Sequence, residues 1–210
     1  LKLAKTPYVF VLNPDTILKN DCIKELINSS NKLNEKFSIM SPLSSPQNYG
    51  YFNDRVEKRI IDKDIIDVDF VKGFSMLIKK SKDNYFDNNI FLYLEEIDLC
   101  KRLKKKKKKI FIIKKSKIKH LAAKSSNIGF EFEKCRNWHW MWSSIYFKYK
   151  YSNYISTLIK YLPILLINII KTIFYLLIWN YQKFTIYFYR VSGICNSLIG
   201  KKSWYRPNIK

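Results

Sequence analysis

Paired cysteines are missing from this sequence. Cys22, Cys100, Cys135 and Cys195 lie far apart with no C-x-x-C spacing, so neither a zinc site nor a disulfide framework is indicated. Cys22 and Cys100 occupy apolar positions of helical patterns, as small core residues do, and a reducing, cytosolic compartment fits. Glycine is scarce as well, five residues in a chain of 210 crowded with Lys, Ile, Asn, Tyr and Phe. That profile is a composition bias. Acids are few: seventeen Asp and Glu face thirty-nine Lys and Arg, a formal charge of +22. Such a surface attracts nucleic acid, an acidic membrane leaflet or phosphorylated substrates, although roughly half of the excess is assigned to the bias. There is no initiating Met. The chain opens at Leu1 into what reads as a core strand, so it is expected to be a fragment, and the lack of a visible signal peptide carries no information. With 47% hydrophobic and 16% aromatic residues, disorder throughout is not expected.

Tyr8 to Leu12 is a β-branched and aromatic run, read as a buried strand that ends in the turn-formers Asn13-Pro14-Asp15-Thr16. Cys22, Ile23, Leu26 and Ile27 recur at helical spacing after Asn20-Asp21. Phe37 to Met40 reads as a strand and Ser41 to Asp54 as a loop. Ile65 to Val71 and Phe74 to Ile78 are strand-like on either side of Lys72-Gly73. Glu95 to Leu103 is a short helix with acids in its first turn. The run Lys104 to Lys109 follows, then strands Ile110 to Ile113 and Lys117 to Leu121. Strands alternating with helices indicate α/β organisation.

From Glu131 the character changes, and the chain divides into a domain over 1–130 and a helical, aromatic and basic membrane-attachment region over 131–210. Asn137 to Tyr151 reads as a helix whose tryptophans Trp138, Trp140 and Trp142 suit either a headgroup zone or packing on the protein. Tyr154 to Trp179 is almost wholly apolar, interrupted by Lys160, Pro163, Asn168, Lys171 and Thr172. A spanning helix needs about 20 apolar residues, and a charge and an amide near its middle are costly there. A helix lying in the interface avoids that cost. Spanning, interfacial and protein-packed arrangements all remain open.

Three stretches carry chemistry. Asp15, at the end of a strand, is placed where α/β sheets bind ligands and where a carboxylate can hold a divalent metal against a diphosphate; Asn-Pro-Asp is also simply good turn chemistry. Gly73 marks a bulge or a close approach of a ligand to the backbone. Glu95, Glu96 and Asp98 crowd a helix start, where acids also complement the dipole. His120 follows a strand, a common place for a structural histidine.

Taken in order, Asn13 to Asp15, Gly73, Phe86-Asp87, Tyr93 to Arg102, His120 and Ser125-Ser126 resemble the motifs of family-2 glycosyltransferases of the GT-A fold, in their bacterial rhamnosyltransferase-like branch. The resemblance covers about residues 5 to 130. It implies a GT-A-type mixed sheet flanked by helices, with the first, nucleoside-holding strands missing before Leu1. It also implies an inverting transfer from a nucleotide sugar. Glu96 takes the proton of the acceptor hydroxyl, Glu95 and Asp98 orient it, and Asn13, Gly73 and Arg102 meet donor or acceptor. Asp15, with His120, holds Mg²⁺ or Mn²⁺. The sequence departs from the family pattern at Glu96, where Asp is usual, at Asn88-Asn89, and in lacking a Gly after the acidic helix. Rhamnose is the sugar the resemblance points to. The acceptor implied is lipid-linked or an envelope polysaccharide, at the cytoplasmic face of the bacterial inner membrane, with the chain peripheral or monotopic on an anionic surface. The basic and aromatic end, Gly200 to Pro207, suits such a bilayer. A nucleic-acid binder is the main rival reading, but the basic residues follow no recognition motif and nucleic acid is not an expected partner. A truncated, inactive membrane-associated product is the other.

Overall fold

The structure, a computed structural model, describes residues 1, 3–45, 59–82, 85–121 and 129–207. Ser125-Ser126 and most of the expected 41–54 loop lie outside them. The chain forms two compact units, Leu1–Asp87 with Glu96–Ser126, and Asn88–Glu95 with Asn127–Lys210.

The first unit is an α/β layer structure. Its strands are β1 (Tyr8–Leu12), β2 (Thr16–Leu18), β3 (Ile39–Ser45), β4 (Arg59–Asp62), β5 (Ile65–Asp67), β6 (Ser75–Lys79) and β7 (Ile110–His120). They build a seven-stranded mixed sheet in the order β1-β6-β3-β7-β5-β4, with β2 paired to β7. Only β3 and β7 run parallel among these pairs. Helices α1 (Cys22–Lys32) and α2 (Glu95–Lys105) cover the two faces. Strand alternation divides the core between them. Ile39, Met76, Ile78, Ile110 and Ile112 pack with Leu99, Cys100 and Leu103 of α2. Met40, Phe111 and Ile113 pack with Leu26 of α1. Because both faces are covered, Tyr8–Leu12 and the first four residues of β7 are continuous apolar runs. Each fully buried Leu or Ile contributes about 1.5–3 kcal/mol.

Several elements differ from expectation. The strand from Phe37 starts at Ile39 and continues through Ser45, while the strand from Ile65 stops at Asp67. The two expected strands at 110–121 are one, β7. Lys114, Lys115 and Ser116 form a bulge: Pro42 of β3 pairs with Ile113 and Leu43 pairs with Lys117. Ser116 Oγ donates to the Cys22 carbonyl at 2.8 Å and fastens the bulge to α1. Polar residues that read as a break are therefore an outward kink in a continuous strand. At the end of α2, Lys107 takes the left-handed conformation (φ 55°) that a glycine usually supplies. Lys107 N–H reaches Lys104 O and Lys108 N–H reaches Leu103 O, so the helix keeps a complete Schellman cap without glycine.

The second unit holds three helices among the described residues: α3 (Gly129–Tyr151), α4 (Tyr154–Leu177) and α5 (Tyr181–Leu198). The last has too mixed a composition to be read from periodicity. Asn153 separates α3 from α4, its side chain accepting the Ser156 N–H at 2.8 Å. Trp138 and Trp142 are buried on α3, with Tyr205 of the C-terminal tail against them. The packed reading thus holds for these two tryptophans, whereas Trp140 is exposed. The tail is docked as well: the Trp142 indole donates to Lys201 O at 2.9 Å. α4 is long and apolar enough to cross a membrane by length and composition, and it is mostly uncovered. At 24 residues it measures about 36 Å. Its Asn168 faces inward, donating to Ile164 O at 2.6 Å.

His139 of α3 is fully buried, and its Nε2 lies 2.8 Å from Tyr205 O. A carbonyl only accepts, so Nε2 carries the proton and Nδ1 is left without a partner. Burial drives its pKa down from the ordinary 6.5 to about 4; the Tyr205 bond opposes this and the Arg206 charge adds to it. The unfolded chain takes up this proton below pH 6.5 and the folded chain only near 4. Stability contributed by neutral His139 is therefore complete above pH 6.5 and lost as pH falls toward 4. The expected loss is about 3 kcal/mol. Melting curves of the wild type and His139→Gln at pH 7 and pH 4.5 check this: the variant should lose markedly less on acidification.

Candidate functional site

Asn13, Pro14, Asp15 and Thr16 form a tight turn between β1 and β2, closed by the Thr16 N–H on Asn13 O at 3.2 Å. Proline is preset for the second position of such a turn. The turn is fixed from two sides. Asn13 N–H donates to Phe74 O at 3.0 Å, and Leu121 N–H donates to Asp15 O at 2.9 Å. These bonds follow from the sheet. Leu12 ends β1 opposite Ser75, the first residue of β6, and Thr16 of β2 lies opposite His120, the last of β7. The carboxyl ends of β1 and β7 and the start of β6 thus meet at one place, bringing together residues more than a hundred positions apart.

Asp15 is 5% exposed. Its Oδ1 faces His120 Nε2 at 3.3 Å, yet the two are not aligned as a hydrogen bond and both atoms are buried without one. Two unsatisfied polar atoms side by side are costly in a finished interior. The His120 ring is held by Phe74, stacked with centroids 4.3 Å apart and planes 10° from parallel. Asn13 itself is exposed.

On the other side of Gly73 stands Glu96, in the first turn of α2 and 6% exposed. A Cβ added to Gly73 would lie 3.5 Å from Glu96 Cβ and Cγ, ordinary contact. Gly73 is not among the residues with positive φ either. Neither packing nor backbone requires glycine there, and the Glu96 side chain lies directly against this segment. Lys72, next in the chain, has its ammonium pKa lowered by burial, opposed by the Glu96 charge.

The remaining expected residues are placed differently. Asp98 is fully buried and accepts from Arg102 Nε at 2.7 Å, one helical turn away. Arg102 also donates through Nη2 to Tyr85 O at 2.5 Å. This pair braces α2. Glu95 opens α2 with Oε2 buried and unpartnered, and burial pushes its carboxyl pKa up. Tyr93 and Leu94, immediately before it, both have left-handed backbones (φ 69° and 68°). For such residues this costs about 1–2 kcal/mol each. The strain is held by the Tyr93 hydroxyl accepting Arg136 Nε–H at 2.9 Å and by Ser143 Oγ donating to Leu92 O at 2.7 Å. Sequence reasoning missed Lys72 and Phe74 as members of the site and Tyr93-Leu94 as a strained entry. A phenylalanine one position after Gly73 was the only signal available.

No known family model matches the chain. A curated relative, Rhamnosyltransferase WbbL of Escherichia coli (strain K12), is 29% identical over 124 residues. The match covers 48% of this chain and 47% of that protein, so the chain spans about half the length of the relative. The chain is therefore similar, at a coarse level, to a glycosyltransferase.

Proposed function

We propose that the chain is part of an inverting glycosyltransferase of GT-A type that moves a sugar, rhamnose by its relative, from a nucleotide donor to a lipid-linked or envelope polysaccharide acceptor. The observation that carries this reading is the convergence of Asp15, His120 and Glu96 on one short segment, Lys72-Gly73-Phe74, at the carboxyl ends of β1 and β7, where open α/β sheets receive ligands.

Glu96 is the group for the acceptor. Its carboxylate takes the hydroxyl proton as the oxygen bonds to the anomeric carbon and the bond from that carbon to the diphosphate breaks on the opposite face. Gly73 brings the backbone of the Lys72-Gly73-Phe74 segment directly against the Glu96 side chain. Asp98 and Arg102 act as positioning residues, holding α2 and hence Glu96 in place. Asn13 lies exposed at the turn, open to the donor, and Glu95 stands at the head of α2 beside the base.

Asp15 and His120 fit a divalent metal, Mg²⁺ or Mn²⁺, because each presents a buried atom with no hydrogen bond. Among the described residues no third His, Cys, Asp or Glu joins them, as in sites completed by substrate phosphates and water. Such an ion would supply positive charge to the departing diphosphate. The exposed apolar face of α4 and the basic surface around it favour attachment to an anionic membrane, with the helix lying in the interface at the cytoplasmic face.

The test is a titration of the whole protein with dTDP- and UDP-sugars in the presence of Mn²⁺ or Mg²⁺. Metal-dependent binding is expected, and Asp15→Ala should weaken it by at least tenfold. No binding of any sugar nucleotide would leave an inactive membrane-associated protein as the better description.

A further inference from the structure

The helical unit contains a cleft of about 420 Å³ that the transfer chemistry does not use. Its floor is Trp142 and Ile145, both buried, and Tyr149 and Tyr154 stand half exposed at its sides. Gly200 (φ 72°) ends α5 in a left-handed turn, which sets Lys201 and Lys202 on the rim. Both lysines are exposed, and no ion pair holds either among the described residues. The cleft has no acidic lining residue. More broadly, the sequence contains no Asp or Glu anywhere after Glu133. An apolar trough with a purely cationic rim matches a ligand that is aliphatic along its length and anionic at one end. The cleft opens beside the start of α4, where Ile155, Ile159, Leu162 and Leu166 form an exposed stripe at helical spacing. A chain leaving the cleft finds apolar surface there.

We propose that this cleft binds a single lipid with a phosphate headgroup. The aliphatic chain lies against Trp142, Tyr149 and Tyr154, and the phosphate is held by Lys201 and Lys202. Naming this lipid as the carrier of the sugar acceptor rests on the transfer reading above; the binding chemistry does not. Charge-assisted contacts to phosphate are the strong ones, and the aromatic walls exclude water from the chain.

The experiment titrates the full chain with dodecyl phosphate below its micelle concentration, following tryptophan fluorescence. Dodecanol and inorganic phosphate are compared, and phosphatidylglycerol vesicles serve as competitor. Saturable one-to-one binding is expected, at least tenfold tighter than for dodecanol or inorganic phosphate and persisting with the vesicles. Lys201→Gln with Lys202→Gln should weaken it at least tenfold without lowering the melting temperature. Equal binding of dodecanol, complete displacement by the vesicles, or an unaffected double variant would each overturn the proposal. Failure of sugar-nucleotide binding with dodecyl phosphate still bound sinks the transfer reading and leaves the lipid site standing.

Discussion

Glu96→Gln in the whole protein is expected to lower sugar transfer by roughly 10³-fold, within the range a positioned base supplies, while donor binding and folding are unchanged. The amide has the same length and volume as the carboxylate but cannot take a proton from the acceptor. The fold should tolerate it, because glutamine keeps the size of the side chain and the buried Asp98–Arg102 ion pair of this helix is untouched. The assay is single-turnover transfer, together with sugar-nucleotide binding and thermal melting of the same variant. Undiminished transfer would remove Glu96 from the chemistry. Lost transfer with lost donor binding would place it on the donor instead. Gly73→Ala is informative alongside it: the added methyl sits in ordinary contact with Glu96, so reduced transfer without lost stability would show that transfer is sensitive to the contact between this segment and Glu96.

The second large effect is structural. Gly193→Ala should destabilise the helical unit by about 3 kcal/mol, a fall in melting temperature on the order of 5–10 °C. Alanine is ordinarily the better helix former by about 1 kcal/mol, so the sign depends on space. There is none: the added Cβ would lie 2.4 Å from Trp138 O and 3.2 Å from Trp138 C, both backbone atoms of α3. The two helices must move apart, and the contacts around buried Trp138 go with them. Its indole bond to Ser192 Oγ, now 3.1 Å, lies directly beside the clash. The contrast is Gly200→Ala, where nothing lies within 4 Å and only the left-handed backbone is strained, at about 1 kcal/mol. A melting temperature for Gly193→Ala at or above that of Gly200→Ala would contradict the close approach of α3 and α5.

The two variants mark how far the sequence could be read. Glu96 was legible because its signal is local: three acids at a helix start, in order behind a strand-end Asp and a glycine between strand-like runs. The apolar runs of β1 and β6, the helical spacing of α1 and α2 and the long apolar α4 were legible for the same reason, since element type is written in the period of neighbouring residues. Gly193 carried no such mark. Its necessity is created by Trp138, more than fifty residues earlier, and appears only when two helices touch. The same holds for β7, whose continuity through Lys114-Lys115-Ser116 depends on β3 alongside it and on Cys22 fastening the bulge. It holds for His139, which the C-terminal tail helps to bury. The sequence by itself determined the α/β class, the types of the strongly periodic elements and the order of the candidate residues. Only the tertiary structure decided which of them meet. It set Asp15 against His120, buried Glu96 beside Gly73 and buried two tryptophans, because burial and pairing of this kind depend on segments far apart in the chain and local periodicity carries no record of them.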